Sequence, residues 1–177
     1  MIEPEALILP GLYDSDEQHW QTLWERNHPR MQRVAQVDWE TPRCADWVAT
    51  LDRAIGGTRR PVLVAHSAAC ALVAHWWVAT RRDAVRGALL VAPADPEASS
   101  FPVGPTGFAP MPGERLPFKT IVVASRNDPY VAFERSRHFA AAWGSRLVDA
   151  GHAGHISSNS GLGEWPAGLA LAEELGL

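Results

Sequence analysis

Residues 61–77 read PVLVAHSAACALVAHWW. From Pro61 to His66 the chain is continuously apolar and rich in valine, the pattern of a strand covered on both faces. From Ala68 to about Arg82 it reads as an apolar helix. Ser67 stands at the corner between them, flanked by the small residues Ala65, Ala68 and Ala69. A hydroxyl at such a corner either caps the helix or serves as a nucleophile held on a tight strand-to-helix turn.

The same alternation repeats on both sides of this stretch. ALILPG (Ala6–Gly11) reads as a strand ending in a turn, and EQHWQTLWERNH (Glu17–His28) as a helix with Trp20, Leu23 and Trp24 on one face. RVAQVDW (Arg33–Trp39) reads as a second strand. The next helix opens with Thr41 as N-cap and Pro42 at its first position, and closes at Gly56-Gly57. GALLVAPA (Gly87–Ala94) and FKTIVVAS (Phe118–Ser125) repeat the buried-strand pattern. YVAFERSRHFAAAWG (Tyr130–Gly144) reads as a helix, RLVDAG (Arg146–Gly151) as a last strand, and EWPAGLALAEELGL (Glu164–Leu177) as a terminal helix. Strands alternating with helices predict βαβ units, hence a mostly parallel central sheet with helices on both faces. The expected organisation is a single α/β domain over residues 1–177. Its one long irregular segment, residues 95–117, is dense in Pro and Gly and reads as an ordered surface excursion rather than a linker or a full lid domain.

Composition narrows the function classes. The chain has 177 residues, 46% of them hydrophobic, with a net charge of −4 and no cluster of Lys and Arg interleaved with aromatics, which argues against a nucleic-acid surface. No apolar run reaches the ~20 residues of a membrane span. The N-terminus lacks the basic and apolar regions of a signal peptide. Cys44 and Cys70 lie far apart in helical patterns and read as reduced thiols, so a cytoplasmic location is expected. Oligomeric state is not legible here.

In an open parallel sheet, ligands bind outside the carboxyl ends of the strands. Ser67 is at such an end. The nucleophile-elbow pattern is G-x-S-x-G, and here it reads A-H-S-A-A; the flanks are still small enough for a crowded turn. A serine needs a base to take its proton, and the base needs an acid to hold its tautomer. On this kind of fold the order along the chain is Ser, then Asp or Glu, then His. Asp128 follows the strand FKTIVVAS, and His152 and His155 follow the last strand in the Gly-rich loop DAGHAGHIS. Alternatively, Asp128 before Pro129 caps the next helix, and the histidines are solvated loop residues. No Cys or carboxylate cluster accompanies them, so neither a metal nor another cofactor is expected. Backbone donors for an oxyanion are expected at Ala68, just after the serine, and at Leu12, in the loop after the first strand.

The residues then resemble a known family, the small serine hydrolases related to retinoblastoma-binding protein 9 and the bacterial YdeN proteins. The likeness runs through LPGLYDSDEQHWQTLWE, VAHSAAC, LVAPAD, LPFKTIVVASRNDPYV and GHISSNSGLGEWPAGL, nearly the whole chain. It implies a compact α/β-hydrolase fold and a triad of Ser67, Asp128 and His155, the family's GHI falling on Gly154-His155-Ile156. It also implies hydrolysis of esters, or sometimes amides, of undefined identity. Two departures stand out. Both elbow glycines are alanine here, so a strained elbow and lowered activity are expected. The L-x-C-x-E motif of retinoblastoma binding is absent, so that partner is not implied.

The expected reaction is a two-step acyl transfer on a small-molecule ester or thioester. The short excursion predicts a shallow acyl pocket and short-chain substrates. A catalytically silent binding module on the same scaffold is the alternative. Asp95, after the strand GALLVAPA, is a rival to Asp128 as the acid. His66 is expected to face away from the site. His19 and Trp20 are candidate substrate contacts, with core packing the alternative for Trp20. Phe101 and Phe108 are candidates to roof the site or, alternatively, to anchor the excursion. Eight tryptophans predict a bulky core.

Overall fold

The structure, a computed structural model, describes residues 3–177. Six strands make one sheet: β1 (Ala6–Leu9), β2 (Met31–Arg33), β3 (Val62–His66), β4 (Gly87–Val91), β5 (Lys119–Ala124) and β6 (Arg146–Asp149). Their spatial order is β2-β1-β3-β4-β5-β6, and every neighbouring pair runs parallel. Five helices cover it: α1 (Trp20–Asn27), α2 (Cys44–Gly56), α3 (Ala68–Thr80), α4 (Phe133–Trp143) and α5 (Pro166–Glu173).

The continuous apolar runs follow from burial on both faces, because side chains alternate along each strand. Leu7, Leu9, Leu63, Ala65, Ala88, Leu90 and Val122 pack with α2, α3 and α4 around Trp47, Trp76 and Trp143. Their neighbours Ala6, Ile8, Val62, Val64, Leu89, Val91, Ile121 and Val123 pack with α1 and α5 around Trp20, Trp24 and Trp165. In that second layer Trp20 meets Trp24 and Trp165 edge-on, with ring centroids 4.8 and 5.0 Å apart. Aromatic pairs of this kind add about 0.5–1.5 kcal/mol each beyond their buried area.

Three local expectations are corrected. The second strand ends at Arg33 rather than running to Trp39, because its partner β1 ends at Leu9 and turns away at Pro10-Gly11. Thr41 does not cap α2. Its hydroxyl donates to Asp38, and the helix begins at Cys44, whose N–H donates to the Thr106 carbonyl at 2.8 Å. The excursion thus supplies the backbone partner at the helix start. Finally, α1 buries Gln21 completely while Leu23 is half-exposed. The Gln21 amide donates to the carbonyls of Leu9 and Val64 at 3.1 and 3.0 Å, so its buried polar atoms are partnered by the sheet.

No helix joins β4 to β5. The Pro/Gly-rich excursion crosses the α2–α3–α4 layer instead, anchored by Phe108, Leu116 and Phe118 in that core. From β1 the chain moves outward to β2 and then returns to β3 on the opposite side of β1, so the carboxyl ends of β1 and β3 flank the point where the strand order reverses. Clefts in open α/β sheets form there. No helix among the described residues is long and apolar enough to cross a membrane.

Candidate active site

Ser67 is the single residue between β3 and α3, and its backbone has φ 57° and ψ −122°. A non-glycine residue in this region costs of order 1–3 kcal/mol and persists only where the surroundings fix it. Here the Ser67 N–H donates to Val91 O at 2.9 Å, and Ser67 O accepts from the N–H groups of Cys70 and Ala94. Ala65 and Ala69 are fully buried on either side, so the alanine flanks accommodate the turn. The Ser67 hydroxyl makes no cap bond to α3. It lies 2.9 Å from His155 Nε2 instead.

His155 stands in the loop after β6, and its Nδ1 lies 2.8 Å from Asp128 Oδ2. The Asp128 side chain is 1% exposed and that of His155 12%. A carboxylate accepts, so Nδ1 carries the imidazole proton and the Nε2 lone pair faces the serine hydroxyl. Asp128 lies in the turn after β5, ahead of α4 and not at its cap, and its other oxygen accepts the Tyr130 N–H at 2.9 Å. The loop is fixed from below. The N–H groups of Ala153 and Gly154 donate to Ser125 Oγ and Asn127 Oδ1, and Ser160 Oγ donates to Ala153 O. It turns through left-handed Gly151, Gly154 and Ile156, the last with φ 48° and fully buried.

Gly11, in the loop after β1, comes against the serine so closely that a Cβ there would lie 2.9 Å from Ser67 Cβ and 3.1 Å from His66 O. This approach brings Leu12 to the cleft edge. The N–H groups of Leu12 and Ala68 donate to no acceptor among the described residues. Ala68 also opens α3, where the helix dipole favours negative charge.

The cleft over Ser67 has a volume of about 240 Å³. Leu12, Tyr13, Phe101, Pro102 and Tyr130 give it apolar walls, and His19, Asp14 and Asp16 lie on its α1 side. Ser158 donates a hydrogen bond to Asp16 and lowers the pKa of that carboxyl. His19 is 3% exposed, and its Nδ1 accepts the Gln21 N–H that begins α1. Burial pulls its pKa down to about 4, so it is neutral at pH 7 with the proton on Nε2, which has no partner among the described residues.

Two candidate contacts fall outside the cleft. Trp20 is 1% exposed, in the core, with its indole N–H donating to Ile156 O at 2.8 Å. Phe108 is equally buried, edge-on to Trp47 at 5.5 Å, and anchors the excursion; Phe101 alone of that pair lines the cleft. Asp95 accepts from Arg135 Nε and Nη2, at 2.7 and 3.1 Å, whereas the carboxylate bonded to His155 is that of Asp128. His152 is exposed. His66 does not face away: its Nε2 lies 2.9 Å from His155 O and its ring 4.9 Å from the His155 ring. Burial holds its pKa well below the usual histidine range. Tyr130, within the stretch LPFKTIVVASRNDPYV but not among the expected site residues, meets the His155 ring edge-on at 4.7 Å.

The chain is similar to several solved structures. A YdeN-like hydrolase from Pectobacterium atrosepticum has a similar crystal structure, with a TM-score of 0.83 and 33% sequence identity over 98% of this chain and 92% of that one. The ydeN gene product of Bacillus subtilis matches with a TM-score of 0.75 and 20% identity, covering 97% and 98% of the two chains. Est1E from Butyrivibrio proteoclasticus shares the fold at a TM-score of 0.69 and 13% identity, covering 98% and 87%. No curated protein matches. The architecture is that of a compact α/β-hydrolase, and the serine hydrolase family profile matches residues 6–174, so the chain belongs to the serine hydrolase family.

Proposed function

We propose that the protein is an esterase in which Ser67 is the nucleophile, His155 the general base and Asp128 the residue that orients and stabilises the imidazolium. One observation carries the reading: the His155 ring bridges the Ser67 hydroxyl and the Asp128 carboxyl at 2.9 and 2.8 Å. Nucleophile, base and orienting acid in hydrogen-bond sequence are the geometric signature of an activated serine.

In this mechanism His155 takes the hydroxyl proton as Ser67 attacks an ester carbonyl. The oxygen that becomes negative is held by the N–H groups of Leu12 and Ala68, both free to donate. His155 then returns the proton to the leaving alcohol, leaving an acyl-serine. Water, deprotonated by the same histidine, releases the acid. His19 and Phe101, which both line the cleft, are the side chains that contact the substrate in this reading. The cleft falls below the ~300–1,000 Å³ of sites for drug-sized ligands, which favours acetyl to butyryl esters. The same proposal places the protein in the cytoplasm, on its two free, buried thiols Cys44 and Cys70.

A fluorophosphonate probe tests the assignment. Wild-type protein is expected to label, and Ser67→Ala and His155→Ala to remain unlabelled. Folded wild-type protein that does not label would refute it and leave a binding module. The chain-length series tests the substrate class: p-nitrophenyl acetate and butyrate are expected to give the highest kcat/KM. Octanoate cleaved faster than both would overturn the short-acyl reading.

A further inference from the structure

We infer that His66 and Trp20 are positioning residues for the reaction proposed above, their ring N–H groups clamping consecutive carbonyls of the loop that carries the base. His66 Nε2 lies 2.9 Å from His155 O, and Trp20 Nε1 lies 2.8 Å from Ile156 O. A main-chain carbonyl only accepts, so His66 carries its proton on Nε2, and the indole nitrogen can only donate. Both bonds therefore point from the rings to the loop.

The loop needs such a clamp. Ile156 is β-branched and sits at φ 48°, a region its side chain resists. A residue in this conformation persists where its surroundings over-determine it. The two donors sit on rigid elements, His66 as the last residue of β3 and Trp20 as the first of α1, and both are buried. His66 is braced in turn by His19, whose ring meets it edge-on at 4.8 Å.

The connection to chemistry is short. His66 is covalently joined to Ser67, so a single side chain ties the backbone of the nucleophile to the backbone of the base. Without it, the spacing between Ser67 Oγ and His155 Nε2 depends on their own hydrogen bond, on Asp128, and on the bonds of Trp20, Ser125, Asn127 and Ser160 to the loop, none of which reaches the strand that carries the serine. That spacing is what the proton transfer requires, and an error of about 1 Å in such a contact costs on the order of 100-fold in rate. Trp20 lies outside the cleft, and the His66 ring, which borders it, spends its N–H on the loop, so loss of the two hydrogen bonds should act chiefly on kcat.

The experiment compares three substitutions in p-nitrophenyl acetate hydrolysis and in the limiting rate of fluorophosphonate inactivation. His66→Leu removes the donor, whereas His66→Gln places an amide N–H near the Nε2 position; Trp20→Phe removes the other donor and keeps an aromatic ring. His66→Leu is expected to lower kcat and the inactivation rate by about 10- to 100-fold with KM within twofold. His66→Gln is expected to recover most of that loss, and Trp20→Phe to lower kcat by about 10-fold. If His66→Leu does not fold, His66→Phe replaces it in the same comparison. Wild-type kcat in the donorless variant would overturn the inference, as would a change confined to KM. Equal losses in the Gln and donorless variants would also overturn it, since ring shape rather than the N–H would then matter. Ser67→Ala separates the two claims: if it still turns over, the triad reading fails, whereas an inert Ser67→Ala beside an unimpaired His66→Leu refutes the clamp alone.

Discussion

Gly11→Ala tests the closest approach in the site. The added Cβ would meet Ser67 Cβ at 2.9 Å, His66 O at 3.1 Å and Ser67 Oγ at 3.4 Å. Non-bonded carbons rest at about 3.5–4.0 Å, so the first contact alone demands a movement of roughly 0.6–1.1 Å. Neither partner yields cheaply. Ser67 is locked at φ 57° by its bond to Val91 O, and His66 ends a central strand paired on both sides at its base. The loop carrying Leu12 must therefore lift away, or the serine must shift from His155. Either change displaces a group to which the proposed mechanism gives a role in the transition state, and about 1 Å of displacement corresponds to on the order of 100-fold in kcat. Overpacking of this sort costs about 1–3 kcal/mol of stability, which lowers Tm by only a few degrees per kcal/mol in a chain of this size. The protein should stay folded at 25 °C while kcat for p-nitrophenyl acetate falls about 100-fold and fluorophosphonate labelling slows in parallel. A variant within threefold of wild type in both assays would show that the β1 loop does not hold the oxyanion donor against Ser67.

Two further measurements probe charge and proton placement. Asp128→Asn should lower kcat by about 10⁴-fold, the scale seen when the orienting carboxylate of a serine-protease triad is replaced, whereas Asp95→Asn should leave kcat within about tenfold because Asp95 pairs with Arg135; the reverse order would move the acid to Asp95. Stability should fall on acidification below pH 6.5. Burial lowers the His19 pKa from 6.5 to about 4, so between those values the unfolded chain binds a proton that the folded chain refuses. Each pH unit in that window costs up to about 1.4 kcal/mol from this residue, or about 2 kcal/mol between pH 6.5 and 5, and the dependence levels off below about pH 4. Denaturant titrations at pH 7 and pH 5 should show this loss in wild type and a smaller one in His19→Phe; identical losses would show that His19 is not the titrating group.

The elements of the sheet and its helices are legible in the sequence because burial on both faces turns each central strand into an apolar run. Ala88 and Leu89 belong to opposite core layers, yet both are fully buried, so no polar position interrupts the pattern. Boundaries set by remote partners are a different matter. Cys44 starts α2 because Thr106 offers it a carbonyl, and Gln21 is buried because its amide donates to carbonyls of β1 and β3. Neither partner is near in sequence, so local chemistry at Thr41 and the apolar spacing of α1 mislead. The excursion is harder still. A Pro/Gly-rich segment has no period, and nothing local separates Phe101, at the cleft, from Phe108, against Trp47.

Within the site, the three residues proposed as the triad are readable because the order of strands fixes where each loop emerges. His66 is misread, although the signal that places it correctly is present in the same run. Side chains alternate along β3: Leu63 and Ala65 point to the α2–α3–α4 layer, and Val62 and Val64 to the layer of Trp20 and Ile156. His66 continues the second set, and that parity directs it toward α1 and the loop after β6 rather than away from the serine's partners. Its ring duly meets those of Trp20 and His155 at 6.1 and 4.9 Å. The residue before an elbow serine is thus placed by the pleat of its own strand. Which layer receives it decides whether it packs idly or reaches the backbone of the base, and in this chain the receiving layer contains Ile156, the strained neighbour of His155.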